Sequence, residues 1–251
     1  MLEFLSVALM LVYVFTGKRV IGFAGWFLFG ISWLVKVQYY MGISDYYNVT
    51  IMVGAFSIFT FIGLTILKSK NDGIFKSATS VAAVSSLVYF VFALTPLGFA
   101  LISHTSDMTV RFAHFIGFDF YRQSYELIEY NGRYVEIILA CTGIESMALF
   151  TGIAVSTSAD LKRRAKAFLV SVPVIYILNL LRNIFIVAAF GDGWFGAPDY
   201  SFYIAHHVIS KILATLALIL ISLGVFRFLP EFADLIFSLK DEVVKTWSGQ
   251  D

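Results

Sequence analysis

Seven predominantly apolar runs, at about 3–17, 20–35, 48–67, 77–102, 143–160, 167–190 and 204–226, constrain this chain more than anything else in it. A helix rises about 1.5 Å per residue, so a hydrocarbon layer about 30 Å thick takes roughly 20 apolar residues, with a range of about 17–25. Most of the runs have that length. The composition agrees: 59% of the 251 residues are hydrophobic and 14% are charged, against about 45–50% and 25% in soluble chains. There is too little polar surface to coat a water-soluble globule, which argues against a soluble enzyme, a nucleic-acid binder or a disordered chain. The expected fold is an all-α polytopic membrane protein of about seven transmembrane helices.

Charge sorts along these runs. Lys18, Arg19, Lys68, Lys70, Lys76, Lys162, Arg163, Arg164, Lys166, Arg227, Lys240 and Lys245 fall on one side, which is 12 of the 18 cations; Lys36, Arg111, Arg122 and Arg133 fall on the other. Cytoplasmic loops carry the excess of Lys and Arg, so the N-terminus is expected outside and the C-terminus inside. No positive segment precedes the first run, which begins Met1-Leu2-Glu3, so it reads as a retained helix and not as a leader. Without linker, repeat or low-complexity run, residues 1–251 read as a single membrane domain. Its parts are an N-terminal four-helix part (1–102), an external segment (103–140), a three-helix core (141–228) and a cytoplasmic amphipathic tail (229–251).

The external segment has internal structure. Residues 103–119, with His104, Arg111 and His114 among aromatics, suit an interfacial helix. Asn131-Gly132 then separates two β-prone runs, Tyr125–Tyr130 and Arg133–Ile138, the strongest short signal for a hairpin. The hairpin leads to Cys141, the only cysteine, which excludes an internal disulfide.

Three features carry chemistry. In Ala140-Cys141-Thr142-Gly143-Ile144-Glu145-Ser146, Thr142 and Glu145 fit a capping box opening an apolar helix. Cys141 then sits at the positive end of the helix dipole, expected to ionise well below the ordinary thiol value of about 8.5. Asn179, Arg182 and Asn183 share a face of the sixth run, at i, i+3 and i+4. An arginine within a membrane helix is costly and reads as functional. His206 and His207 open the last run, with Lys211 one turn on. Adjacent histidines point apart on a helix and Lys211 repels a cation, so neither metal nor other cofactor is expected.

The derived topology puts Cys141 at the outer mouth of the fifth span. Arg182 lies about eight residues, roughly 12 Å, below the outer end of the sixth, and the histidines stand at the outer start of the seventh. Cys as nucleophile, His as base and Arg as a cation for an oxyanion make an acyl-transfer site. Two rivals place the same residues differently. A transporter or channel would line a path with Arg182, Asn179, Asn183 and Lys211. A seven-span receptor gives Cys141 no role.

The string Ala-Cys-Thr-Gly-Ile-Glu-Ser, the Asn-x-x-Arg-Asn at 179–183 and the His-bearing start of the last helix resemble the exosortase/archaeosortase family, best its archaeosortase branch. The specific match covers about 125–212. The resemblance implies a membrane-embedded cysteine transpeptidase of an archaeal cell membrane, its active site facing outside. Such enzymes recognise a C-terminal signal on surface glycoproteins, S-layer subunits among them: a Pro-Gly-Phe-type motif, an apolar helix and a basic tail. They pass the new C-terminus to a prenyl-derived membrane lipid. By that resemblance Cys141 is the nucleophile, Arg182 steadies the oxyanion or thiolate, and His207 is the third residue, with His206 beside it. Glu145, Asn179, Asn183 and Lys211 are supporting candidates.

Overall fold

Helix boundaries in the computed structural model, which describes residues 1–248, follow local chemistry closely. Helix α1 (Leu2–Thr16) stops at Gly17, whose φ of 69° is left-handed. Then come α2 (Arg19–Leu34), the short α3 (Val37–Gly42), α4 (Tyr46–Lys68) and α5 (Asp72–Ala93). Helix α4 is capped by Asp45, whose carboxylate accepts from the Asn48 amide.

The expected fourth span, 77–102, is not one helix. Thr95 is extended (φ −121°, ψ 166°) and accepts from the Leu97 amide, with Pro96 opening a new helix, α6 (Pro96–Phe115). Proline has no N–H to continue the α5 ladder and its fixed φ suits a first turn. The amphipathic helix expected from 103 therefore begins seven residues earlier.

Among the described residues, five helical stretches are long and apolar enough to cross a membrane: Arg19–Gly42, Tyr46–Lys68, Asp72–Ala93, Leu161–Asp192 and Pro198–Phe228. Two of the seven expected spans are shorter apolar helices, α1 and α7 (Ile144–Ser156). The 13 residues of α7 reach only about 20 Å.

The chain packs as two compact units. The first holds residues 1–87, 155–159 and 230–251. Within it α1 and α2 approach closely because Gly22 and Gly25 face Tyr13 and Met10; a Cβ at Gly22 would lie 2.9 Å from the Tyr13 ring. Polar cross-links include Tyr13, which donates to Asp72 at 2.6 Å, and the Trp26 indole, which donates to Thr79 at 2.9 Å. The tail expected over 229–251 forms α11 (Pro230–Ser248), with 249–251 outside the described residues. Its Trp247 stacks on Phe61 (5.1 Å), lies under Lys68 (3.6 Å) and donates to Thr65 (3.0 Å).

The second unit spans 88–154 and 160–229. It contains α6, a three-stranded antiparallel sheet, α7, α8 (Leu161–Asp192), α9 (Pro198–Tyr203) and α10 (Ser210–Phe228). The hairpin expected at Asn131-Gly132 is strands β2 (Leu127–Tyr130) and β3 (Arg133–Glu136), Tyr130 facing Arg133. Asn131 (φ 52°) and Gly132 (φ 74°) both take the left-handed conformation that a two-residue turn of this kind requires. A further strand, β1 (Tyr121–Arg122), pairs with β2. Phe120, Ile128, Ile137, Ile184, Val187 and Ala188 form the buried core between sheet, α6 and α8.

The sheet is moored to the end of α8. Arg133 Nη1 donates to the carbonyls of Phe190 (2.6 Å) and Gly191 (2.5 Å), and Asn131 donates to Asp192 at 2.8 Å. The Tyr130 ring lies so close to Gly191 that a Cβ there would drive into it. Gly191→Ala is expected to lower stability by about 1–3 kcal/mol through overpacking, read as an earlier thermal unfolding transition in detergent; an unchanged transition would show that the sheet is not held there.

Candidate active site

Cys141 lies in a 3₁₀ turn, Leu139–Thr142, that closes before α7 begins. The Cys141 amide donates to the Ile138 carbonyl at 2.8 Å. Thr142 Oγ1 donates to Leu139 O at 2.7 Å and accepts from the Ile144 amide at 3.3 Å. Gly143, with φ 77°, turns the chain into the helix. The expected capping box with Cys141 at the helix mouth is thus corrected. The left-handed glycine separates Thr142 from the helix, so Cys141 stands three residues before its first residue, Ile144.

The turn is fixed to α8 through one atom. The Cys141 carbonyl oxygen accepts from Asn179 Nδ2 at 2.6 Å and from Asn183 Nδ2 at 2.9 Å. Asn183 is buried, and the Asn179 side chain packs on Gly143, where a Cβ would meet its Cγ at 3.2 Å. The i, i+4 spacing reaches one acceptor because side chains four apart stand above one another on a helix. Arg182, on the same face, is partly buried and acts electrostatically on the thiol.

A small cavity of about 40 Å³ opens beside the sulfur, walled by Glu136, Ile137, Cys141, Asn183, Phe202 and His206 among others. That volume admits only a few waters. His206 stacks on Phe202 with centroids 5.2 Å apart and planes 6° apart. His207 turns to the exposed Tyr203, stacked at 5.5 Å. Among the described residues, Arg182, His207, Lys211 and Glu145 do not line this cavity. The histidines occupy a π-helical segment, Ile204–Ile209, between α9 and α10. The sequence reading did not single out Glu136, the last residue of β3 and an exposed carboxylate at the cavity. In the sequence it sits inside the β-prone run Arg133–Ile138, with no motif to mark it.

The electrostatics also differ from the expectation. Burial pushes the Cys141 thiol above its ordinary value; a hydrogen bond from the Ile138 backbone to the sulfur and the charge of Arg182 draw it down, and Glu136 pushes it up again. The thiol is the resting form at neutral pH. Helix-dipole stabilisation fades within the first turn, and Cys141 lies outside it.

The transmembrane exosortase family matches residues 2–226. The chain belongs to that family. Archaeosortase A of Haloferax volcanii is 27% identical to it over 260 residues, covering 88% of this chain and 83% of the relative. Archaeosortase A of Natronomonas pharaonis is 32% identical over 121 residues, covering 42% of this chain and 38% of the relative. No solved structure matches. The family and its apolar helices make the protein a membrane protein related to protein-sorting enzymes.

Thiol labelling tests the site's electrostatics. Reaction of Cys141 with a small membrane-permeant haloacetamide is expected to rise with pH through a midpoint above about 8.5. Arg182→Gln should move that midpoint higher, because a cation favouring thiolate is lost, and Glu136→Gln should move it lower. A midpoint below that of a free thiol would contradict the arrangement.

Proposed function

We propose that the protein is a membrane-embedded cysteine transpeptidase. It cleaves a C-terminal sorting signal, comprising a Pro-Gly-Phe-type motif, an apolar helix and a basic tail, and transfers the new C-terminus to a prenyl-derived membrane lipid. The observation that carries this reading is one cavity walled by both Cys141 and His206, with Arg182 acting on the same sulfur. Family membership and the names of its archaeal relatives support the substrate class. We place the reaction on the outer face by the positive-inside rule, in a chain crossing the bilayer seven times with its N-terminus outside and the two short helices completing the count.

Because the resting thiol is neutral, His206 takes the Cys141 proton as sulfur attacks the scissile carbonyl carbon. Arg182 steadies the negative charge on the carbonyl oxygen. The tetrahedral intermediate collapses, the C–N bond breaks, and the departing amine of the C-terminal fragment takes the proton from His206. The remaining thioester is attacked by an acceptor amine of the lipid, or by water as a leak. His206 removes the nucleophile's proton and returns it to the leaving sulfur. Of the two histidines, we assign this role to His206 rather than the expected His207, because it is His206 that lines the cavity.

The transporter reading needs the Asn179 and Asn183 amides turned toward a path. Both donate to the Cys141 carbonyl.

Processing of a signal-bearing surface protein in cells decides the roles. Cys141→Ala should abolish it. His206→Ala and Arg182→Gln should each slow it about 100-fold or more, while His207→Ala should retain most activity. All variants must be membrane-inserted at equal level. Normal maturation with Cys141→Ala sinks the nucleophile; loss with His207→Ala alone returns the base to His207.

A further inference from the structure

A second polar feature, on α6, is unused by the transpeptidase reading. Ala100, Ser103, His104, Asp107 and Arg111 recur at helical spacing on one face and, with Arg122, line a cavity of about 580 Å³. It is an open hollow on the surface rather than an enclosed pocket.

Asp107 organises the charges. One of its oxygens lies 2.8 Å from Arg111 Nε, the other 3.8 Å from Arg122 Nη1. Arg122 is held rigidly: Nη2 donates to Ser103 Oγ (2.6 Å) and the Tyr125 carbonyl (3.3 Å), and Nε donates to the Ser124 carbonyl (2.9 Å). Arg111 is different. Its side chain is 69% exposed and spends its Nε on Asp107, leaving the two terminal nitrogens to a ligand. Two guanidiniums against one carboxylate leave an excess positive charge, and a guanidinium edge matches phosphate oxygens two at a time. His104, stacked on Tyr176 at 6.0 Å, adds a ring donor to the same wall.

The surroundings select the ligand further. Leu97 (50%), Phe99 (55%), Phe112 (40%) and Phe115 (87%) are exposed on the same helix. Aromatic and basic residues together on one exposed helix are the composition of a membrane interface. Phe99 lines the hollow together with the two guanidiniums, so a ligand carrying both a phosphate and an apolar part matches both.

We propose that this hollow binds the phosphate of a membrane-lipid headgroup, with Arg111 as the contact residue, Arg122 as the fixed second cation, and Phe99 against the lipid chains. The site is independent of Cys141 chemistry.

The test uses the full chain in a neutral detergent, with dioctanoyl phosphatidylglycerol, uncharged dioctanoylglycerol and inorganic phosphate as probes. Phosphatidylglycerol should bind about ten-fold or more tightly than dioctanoylglycerol and raise the unfolding temperature, with inorganic phosphate doing neither. Arg111→Gln should weaken phosphatidylglycerol binding about ten-fold while the unliganded unfolding temperature stays put, since Arg111 is exposed. Arg227→Gln, a change at the end of α10, should bind as the unaltered protein does. Undiminished binding by Arg111→Gln overturns the site. Equal binding of dioctanoylglycerol overturns phosphate recognition, and an equal effect of inorganic phosphate overturns the lipid as its source.

Discussion

One backbone carbonyl, that of Cys141, holds the second unit's polar chemistry in register. It takes two side-chain amides from α8 at 2.6 and 2.9 Å, using both lone pairs of a half-buried oxygen. Leaving such a group unsatisfied costs about 1–3 kcal/mol, so the turn and α8 are constrained to meet at this point. The consequence for Arg182 is geometric. It stands between the two asparagines in sequence and on their face, so anchoring the turn brings the thiol within its field. Gly143 follows from the same contact: its left-handed φ turns the chain away, and Asn179 occupies the space a side chain would need.

The sheet sets the second constraint. Arg133 and Asn131 tie the hairpin to the end of α8, and β3 runs directly into the cysteine turn. Thus α8 fixes the segment before Cys141 as well as the carbonyl after its Cα. Such anchoring fits the proposed role of Cys141, a nucleophile placed rather than ionised in advance. Burial and Glu136 disfavour the thiolate; Arg182 favours it. On the proposed mechanism a neutral, largely buried thiol loses its proton only as it attacks.

Much of this was legible in particular residues. Asn131-Gly132 marked the hairpin because few other pairs tolerate two left-handed positions. Asn179, Arg182 and Asn183 announced a shared face because helical spacing is fixed. Other features depend on partners that are distant in sequence. Nothing near Asn179 says that its amide is spent on the Cys141 carbonyl rather than beside the guanidinium. The capping-box pattern misled because Gly143 adopted a left-handed φ, an option a pattern of side chains does not weigh. Pro96 lies inside the apolar run 77–102, where hydropathy alone does not show the break that a proline without an N–H makes.

The two histidines are the clearest case. The resemblance points to His207 with His206 beside it, and nothing in the sequence marks Ile204–Ile209 as π-helical, with hydrogen bonds one residue longer than in an α-helix. Within that segment His206, stacked on Phe202, lines the Cys141 cavity. The central claim is that Cys141 carries the substrate as a thioester during transfer. Intact-protein mass spectrometry after brief mixing with a signal-bearing substrate tests it directly. The account predicts an adduct with the mass of the N-terminal product on Cys141, removed by hydroxylamine at neutral pH. Turnover with no such adduct, or an adduct on any other residue, would contradict it.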